Sequence, residues 1–562
     1  MGLTYIVFPR KVSRLLKNLS AQQLLIILFM MCGFLAASVE RPANLTYTLN
    51  KQGLQTIEHN GVSFFSSSWH GNLRVANSPV FRRSDGTTYT IDSYLPTSTN
   101  VDPNSQKVST VYPWGTVTSN YRSTGNRLIM KVVVTNTTSD LLETIGVQAL
   151  TMSFPEVPQG STVDAQTHPL HLYPLIVDPK MQPGVIHVDY GSAGVVDYAN
   201  EGVTEPVILQ IPFSSNNPVN TLYPFWATTQ NISTGTSRIM NVSLRFGKAG
   251  VTSPALSGDL YQRYAEAYPF QVQWSDRRPV GALFLGSAGI HPPTNPRGWF
   301  NNATDVDITT PAGKEAFRVR LLAYADSSIK VLKELNSQGM VTWDPEGMEF
   351  GQSTYYGDPR LVSILAPEME YKGSSPTASI DAYFKKFTDA GLKVGLCIRP
   401  QQIRMVNGLP VQEESSDQAK TLKDKITYAL KRWGVKLFYI DSTVDRNGPY
   451  DPAIIKSVAD TFPDVLLMPE HQSARYYAYS APFESFLHHG VTSTSAALRV
   501  VYPGAFIVNY AADGDLEAKK DVFLDALRRG DILMTHGWYD ARNNAKIKAL
   551  YKQAELCCKN RI

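Results

Sequence analysis

Cysteine is scarce in this 562-residue chain, and its four cysteines form no framework. Cys32 sits in an apolar N-terminal run, Cys397 in an apolar strand-like segment, and Cys557 and Cys558 side by side at the tail. Adjacent cysteines bridge each other only with strain, so no disulfide set holds this fold. A dense Lys/Arg block is also missing beyond the first twenty residues, and the formal net charge is only +4. Nothing here has the electrostatic footprint of a nucleic-acid partner. The chain has no G-x-S-x-G elbow and no Walker loop, which removes nucleophile-elbow hydrolases and P-loop enzymes. No glycine-rich dinucleotide fingerprint follows any strand-like run. The pair His488-His489 has no third ligand at metal spacing, so neither a metal nor another cofactor is expected. Disorder is excluded too, because apolar residues make up 43% of the chain against 18% charged.

What is present begins with an export signal. Arg10, Lys11, Arg14 and Lys17 precede the apolar run LLIILFMMCGFLAA at 24–37, and Ala36 and Ser38 occupy the −3 and −1 positions of a cleavage site. The run is shorter than the roughly 20 apolar residues of a spanning helix. Residues 1–38 therefore read as a signal peptide, or as an anchor if uncleaved, which would be the chain's sole membrane contact. The remainder is expected to be secreted or held at the cell surface.

The periodicity then changes twice. From 43 to 270, short alternating runs such as RLIMKVVVTNTT and RIMNVSLRFG are broken by Gly, Pro, Asn and Ser, the pattern of an antiparallel β-sandwich. From 278 to 556, apolar strand-like runs alternate with amphipathic helical ones. Eight alternations in about 280 residues fit a (β/α)8 TIM barrel; a doubly wound open sheet is the rival, against which the missing dinucleotide fingerprint counts. The expected fold is thus multidomain: an N-terminal antiparallel β-sandwich followed by a (β/α)8 barrel, joined near Gln271 to Pro279.

Barrel chemistry gathers where strands end. GVKLFYIDSTVD ends its apolar run on Asp441, and DVLLMPE ends on Glu470, at expected strands four and five. Asp344 and Glu346 follow strand two, Arg399 strand three, Asp513 strand seven, and His536 and Trp538 strand eight. Glu484 falls in a weak sixth strand and Asn509 after strand seven. Glycosidic cleavage needs one ionised carboxylate and one protonated one. Asp441, followed by Ser442, suits the nucleophile; Glu470, between Pro469 and His471, suits the acid/base. Adjacent strand ends place such a pair about 5–5.5 Å apart, the retaining spacing. Trp343, Asp344, Glu346, Arg399, His471, Asp513, His536 and Trp538 are the candidate substrate contacts. Trp299, Tyr355, Tyr356 and Tyr539 add aromatic faces for sugar rings. The plainer alternatives are a strand-terminal Asp that caps a helix or pairs with an arginine, a turn at Pro345-Glu346-Gly347, and aromatics that only pack.

The arrangement resembles retaining glycoside hydrolases with a β-sandwich in front of a (β/α)8 barrel. In α-amylase-like and dextranase-like enzymes the nucleophile Asp follows strand four and the acid/base Glu strand five. YIDS and MPEH match those positions, and the resemblance implies the same roles for Asp441 and Glu470. Tyr439 stands where the α-amylase-like pattern has an arginine. Melibiase-like and α-glucosidase-like enzymes use an Asp after strand six, where this chain offers Glu484. The implied function is exported hydrolysis of an α-linked poly- or oligosaccharide. The alternative is a glycan-binding or structural subunit of an extracellular assembly on the same scaffold.

Overall fold

The computed structural model describes residues 45–51, 53–64, 73–76, 78–92, 95–155, 184–205, 207–211, 222–286, 292–347, 365–407, 409–441, 444–445, 448–449, 452–470, 474–485, 496–512, 514–535 and 541–559. The expected signal or anchor at 1–38 lies outside them. Among the described residues no helix is long and apolar enough to cross a membrane.

The N-terminal half is built mainly from two antiparallel sheets, one of seven strands and one of six, with a third of three strands at its start. Alternation explains how they pack. Along Arg127–Asn136 the residues Leu128, Met130, Val132 and Val134 are buried while those between are not. From the other sheet, Leu141–Ser153 and Leu222–Ile232 pair antiparallel and send Val147, Leu150, Phe225 and Ala227 into the same core. Asn136, which opens an Asn-Thr-Thr triplet, is fully buried, and its Nδ2 donates to the Asp140 and Ile232 carbonyls at 2.8 and 3.0 Å.

Two buried polar networks hold this half to the short helices Ser253–Leu256 and Gly258–Ala267. Arg245, with no exposed surface, donates from Nη2 to Glu201 Oε1 at 2.7 Å and to Asp259 Oδ2 at 3.2 Å. Asp197 is equally buried and meets His187 Nδ1 at 2.6 Å, Ser257 Oγ at 2.6 Å and Ser253 Oγ at 2.9 Å. Leu260, Tyr261 and Tyr264 of the second helix continue into the core of the C-terminal half, beside Leu498 and Tyr502. The two halves thus share packed surface.

That C-terminal half contains eight parallel strands: β1 (Val280–Phe284), β2 (Gly339–Trp343), β3 (Lys393–Ile398), β4 (Leu437–Ile440), β5 (Leu466–Pro469), β6 (Phe483–Ser485), β7 (Val508–Ala511) and β8 (Ile532–Thr535). They run in the spatial order β5-β4-β3-β2-β1-β8-β7-β6. Here the expectation of a (β/α)8 barrel is overturned. The sheet stays open, because no ladder joins β5 to β6 among the described residues. One backbone bond, Ala481 N–H to the Leu467 carbonyl at 2.9 Å, reaches across the seam. The cause is local: β6 has only three residues, and Pro482 before it has no N–H to donate. The helix between β5 and β6, Tyr476–Tyr479, has four residues, too few for a full crossover layer. The inner face of the sheet carries Val280, Val341, Cys397, Leu437, Met468 and Met534. The outer face packs Met340, Leu396, Phe438 and Leu467 against helices such as Pro311–Glu334 and Gln418–Trp433.

Removing one member of a buried ion network strands the remaining charges. Arg245→Ala is therefore expected to cost about 3–5 kcal/mol in denaturant unfolding. Arg82→Ala, which breaks the exposed pair with Glu143, should cost less than about 1 kcal/mol. Equal losses would contradict the assignment of the Arg245 network as a main tie of the N-terminal half.

Candidate active site

Side chains alternate between the two faces of a strand. Cys397, Tyr439 and Met468 lie on the inner face of β3, β4 and β5. Arg399, Asp441 and Glu470 come two positions later and leave the sheet on that same face. The backbones stay in register at this edge: Asp441 N–H donates to the Ile398 carbonyl and Glu470 N–H to the Ile440 carbonyl, each at 2.9 Å. Three neighbouring strands therefore deliver an arginine and two acids as one row.

Arg399 Nε and Nη2 both donate to Asp441 Oδ2 at 2.6 Å. Asp441 is 3% exposed, and the Glu470 carboxyl hydrogen-bonds to it. Burial raises Asp441 well above the usual carboxylate range; neighbouring Glu470 pushes the same way, and the Arg399 guanidinium opposes both. A second carboxyl so close disfavours the Asp441 anion, and Arg399 is the cation that opposes it. Contact is closer than the spacing of about 5–5.5 Å expected for a retaining pair with sugar between them.

Next to this row, β2 ends in a turn from Asp344 to Gly347, closed by Gly347 N–H on the Asp344 carbonyl at 3.0 Å. The Pro345-Glu346-Gly347 turn forms, and Asp344 and Glu346 are 0% and 1% exposed within it. Asp344 has φ of 59°, a left-handed conformation that costs energy outside glycine and collects at functional sites. Gly347, at φ 89°, leaves room for Arg297: a Cβ there would lie 2.7 Å from Arg297 Cδ. Arg297 Nη1 in turn meets both oxygens of buried Glu368 at 3.3 Å, and Trp299 Nε1 donates to Glu368 at 2.5 Å. The Cys397 thiol registers how close these groups are. Burial first, then Asp441, push it far up; Arg399 opposes, and Asp344 and Glu346 add to the rise.

The row thus brings together Asp441, Glu470 and Arg399, with Asp344 and Glu346 in the same field. Trp343 sits one layer lower, 4% exposed, with ring centroids 4.9 Å from Phe284 and 5.1 Å from Tyr439. Trp299 is fully buried; both tryptophans pack rather than offer an open face. Asn509 falls inside β7 and is fully buried. His471, Asp513, His536 and Trp538 lie outside the described residues, as do Ser442, Tyr355, Tyr356, Tyr539 and the side chain of Glu484. No group of His, Cys, Asp and Glu placed to hold a metal occurs among the described residues. Two cavities of about 340 and 360 Å³ open near the amino ends of the strands, one at the β5/β6 seam and one below β8. Neither reaches the acid row.

Sequence reasoning missed the support behind Arg399. A hairpin, Gln402–Val406 with Leu409–Glu413, follows β3, and its Gln412 Oε1 accepts from Arg399 Nη1 at 2.6 Å. The signal was available: Asn407-Gly408 between two alternating runs is a hairpin turn pair. Fully buried Lys425 donates to the Arg399 carbonyl at 2.7 Å and the Gln401 carbonyl at 3.2 Å.

The raised Asp441 carboxyl has a measurable consequence. A carboxyl raised on folding stabilises the protein fully below its unfolded pKa of about 3.9, and that contribution is lost as pH climbs through the folded value. Glu470→Gln removes one cause of the rise. Its unfolding free energy should therefore fall less than wild type between about pH 4 and pH 8; an unchanged pH slope would contradict the coupling.

No protein-family model matches the chain, and no curated protein matches it. Among solved structures, the alpha-N-acetylgalactosaminidase NagBb of Bifidobacterium bifidum, in complex with GalNAc, is similar with a TM-score of 0.52 at 9% identity, over 92% of each chain. The cycloalternan-forming enzyme of Listeria monocytogenes has a TM-score of 0.37 at 10% identity, over 91% of this chain and 58% of the other. The alpha-amylase of Geobacillus thermoleovorans has 0.31 at 12%, over 50% and 80%. The last two are too distant in shape to carry weight. The likeness to NagBb extends over both halves, and what the chain shares with it is an overall fold.

Proposed function

We propose that this chain is an exported glycoside hydrolase that cleaves α-linked glycans with retention, using Asp441 as nucleophile and Glu470 as acid/base. The observation that carries the reading is the in-register row of Arg399, Asp441 and Glu470 at neighbouring strand ends, with the Arg399 fork on Asp441. Glycosidic cleavage needs two carboxyls side by side, one charged and one not. The fold shared with an alpha-N-acetylgalactosaminidase supports a sugar substrate. Export rests on the N-terminal sequence alone.

A sugar entering between the carboxyls separates them and ends their mutual hydrogen bond. Asp441 keeps the two Arg399 donors and, freed of the neighbouring carboxyl, becomes the anion, its proton passing to Glu470. Asp441 then attacks the anomeric carbon and forms a glycosyl ester as the bond to the leaving oxygen breaks. Glu470 gives its proton to that oxygen. In the second half Glu470 takes a proton from water, the hydroxide attacks the anomeric carbon, and Asp441 leaves as carboxylate.

One observation favours a second reading, glycan binding without turnover. Asp441 is almost completely enclosed and held by an arginine, as a structural ion pair is. Nitrophenyl α-glycosides of several sugars separate the two. Under the hydrolase reading, Asp441→Asn abolishes release. Glu470→Gln slows it about 10²–10⁴-fold on a glycan, whereas the first-turnover burst from a dinitrophenyl glycoside, whose leaving group needs no proton, slows far less. Oligosaccharide binding with no release by wild type would establish the second reading instead.

A further inference from the structure

We propose that Gln412 is a positioning residue that acts through Arg399, holding the guanidinium fork on Asp441 while Glu470 is drawn away by substrate. This rests on the reading of Asp441 as the group that must become an anion. The guanidinium is planar and has donors on all three nitrogens. Nε and Nη2 are both committed to Asp441 Oδ2 at 2.6 Å. Nη1 is turned the other way, onto Gln412 Oε1 at 2.6 Å. A planar fork gripped at Nη1 cannot rotate about its long side chain without breaking that bond, so Gln412 sets the angle at which the other two nitrogens meet the carboxylate.

The grip works only if the hairpin is itself held, and it is. Gln402 pairs with Glu413, and Ile403 with Gln412, across the two strands. At its base Glu414 accepts from Gln401 Nε2 at 3.2 Å and from Gln418 Nε2 at 2.7 Å. Lys425, reaching from the helix Gln418–Trp433, fixes the Arg399 and Gln401 carbonyls from below. Backbone and head of Arg399 are therefore anchored separately, the first by Lys425 and the second by Gln412.

The balance at Asp441 is what this anchoring controls. Arg399 and Cys397 face it from β3 and Glu470 from β5, and Asp344 and Glu346 lie in the same field beyond Cys397. Arg399 is the cation among these groups. If its fork swings off Oδ2, the remaining acids dominate and Asp441 holds its proton to higher pH.

Gln412→Met keeps the length and removes the acceptor. A misplaced fork should lower kcat by up to about 100-fold with KM little changed, and move the acidic limb of the kcat/KM profile upward by about one pH unit. Arg399→Lys, a point charge with no fork, should make the second change redundant, so that Arg399→Lys/Gln412→Met is no slower than Arg399→Lys. A carboxyl-carbon NMR titration of the full chain, with Asp441 identified by its loss in Asp441→Asn, follows the same group without turnover. Its midpoint should rise in Gln412→Met and in a second variant, Gln412→Ala, at unchanged unfolding midpoint. An unmoved Asp441 midpoint in both variants, or fully additive losses in the double variant, overturns the proposal. A midpoint that rises in both Gln412 variants of a protein whose wild type hydrolyses nothing keeps the positioning role and removes the hydrolase reading, so the two failures are distinct.

Discussion

Two acids brought together at the enclosed end of a sheet need an opposing charge, and Arg399 supplies it. Burial alone would leave Asp441 protonated, and Glu470 beside it strengthens that tendency. Arg399 works against both through two short donors on one carboxylate oxygen. The opposed contributions leave the protonation of Asp441 sensitive to whatever moves Glu470 away from it. A ligand that does so need not contribute charge of its own to change the protonation of Asp441. That sensitivity is useful for chemistry and unfavourable for stability, since an apolar row of similar shape would avoid the desolvation of three ionisable groups.

The rest of the chain places this row. Period-two alternation along β3, β4 and β5 puts Arg399, Asp441 and Glu470 on the inner face, and parallel register puts them at one level. Below them Cys397, Tyr439 and Met468 form a dry layer, which keeps water from screening the charges from that side. The hairpin after β3 and the buried Lys425 hold the arginine at both ends. Farther away, the Arg245 and Asp197 networks clamp the N-terminal sheets to helices whose buried faces join the core around the parallel sheet.

Much of the row was legible in the sequence, because an apolar run that ends on an acid reveals both the strand and the strand's end. YIDS and MPEH are short, but alternation within them also assigns the face. The closed barrel was not legible in the same way. Eight strand-like runs can be counted, yet closure depends on a ladder between β5 and β6, and Pro482 with a three-residue β6 withholds it. Arg399 was visible as a strand-end residue, whereas its partner lies 42 positions on, and no local pattern announces such a pairing. Gln412 was not legible for a different reason: the Asn407-Gly408 dipeptide marks a hairpin, but nothing in it names a partner for the second strand. The Asp441–Glu470 contact could not be read at all, since register fixes where backbones end and not how two rotamers meet.

The separation of the Asp441 and Glu470 carboxyl groups in a crystal structure with a glycan bound at the row is the measurement that bears most directly on this account. Opening from hydrogen-bond contact to about 5–5.5 Å, with Arg399 still on Asp441 and the scissile oxygen beside Glu470, is the predicted result. Carboxyls that remain in contact while sugar binds elsewhere, or a gap of about 6.5–9.5 Å that admits a water, would contradict it.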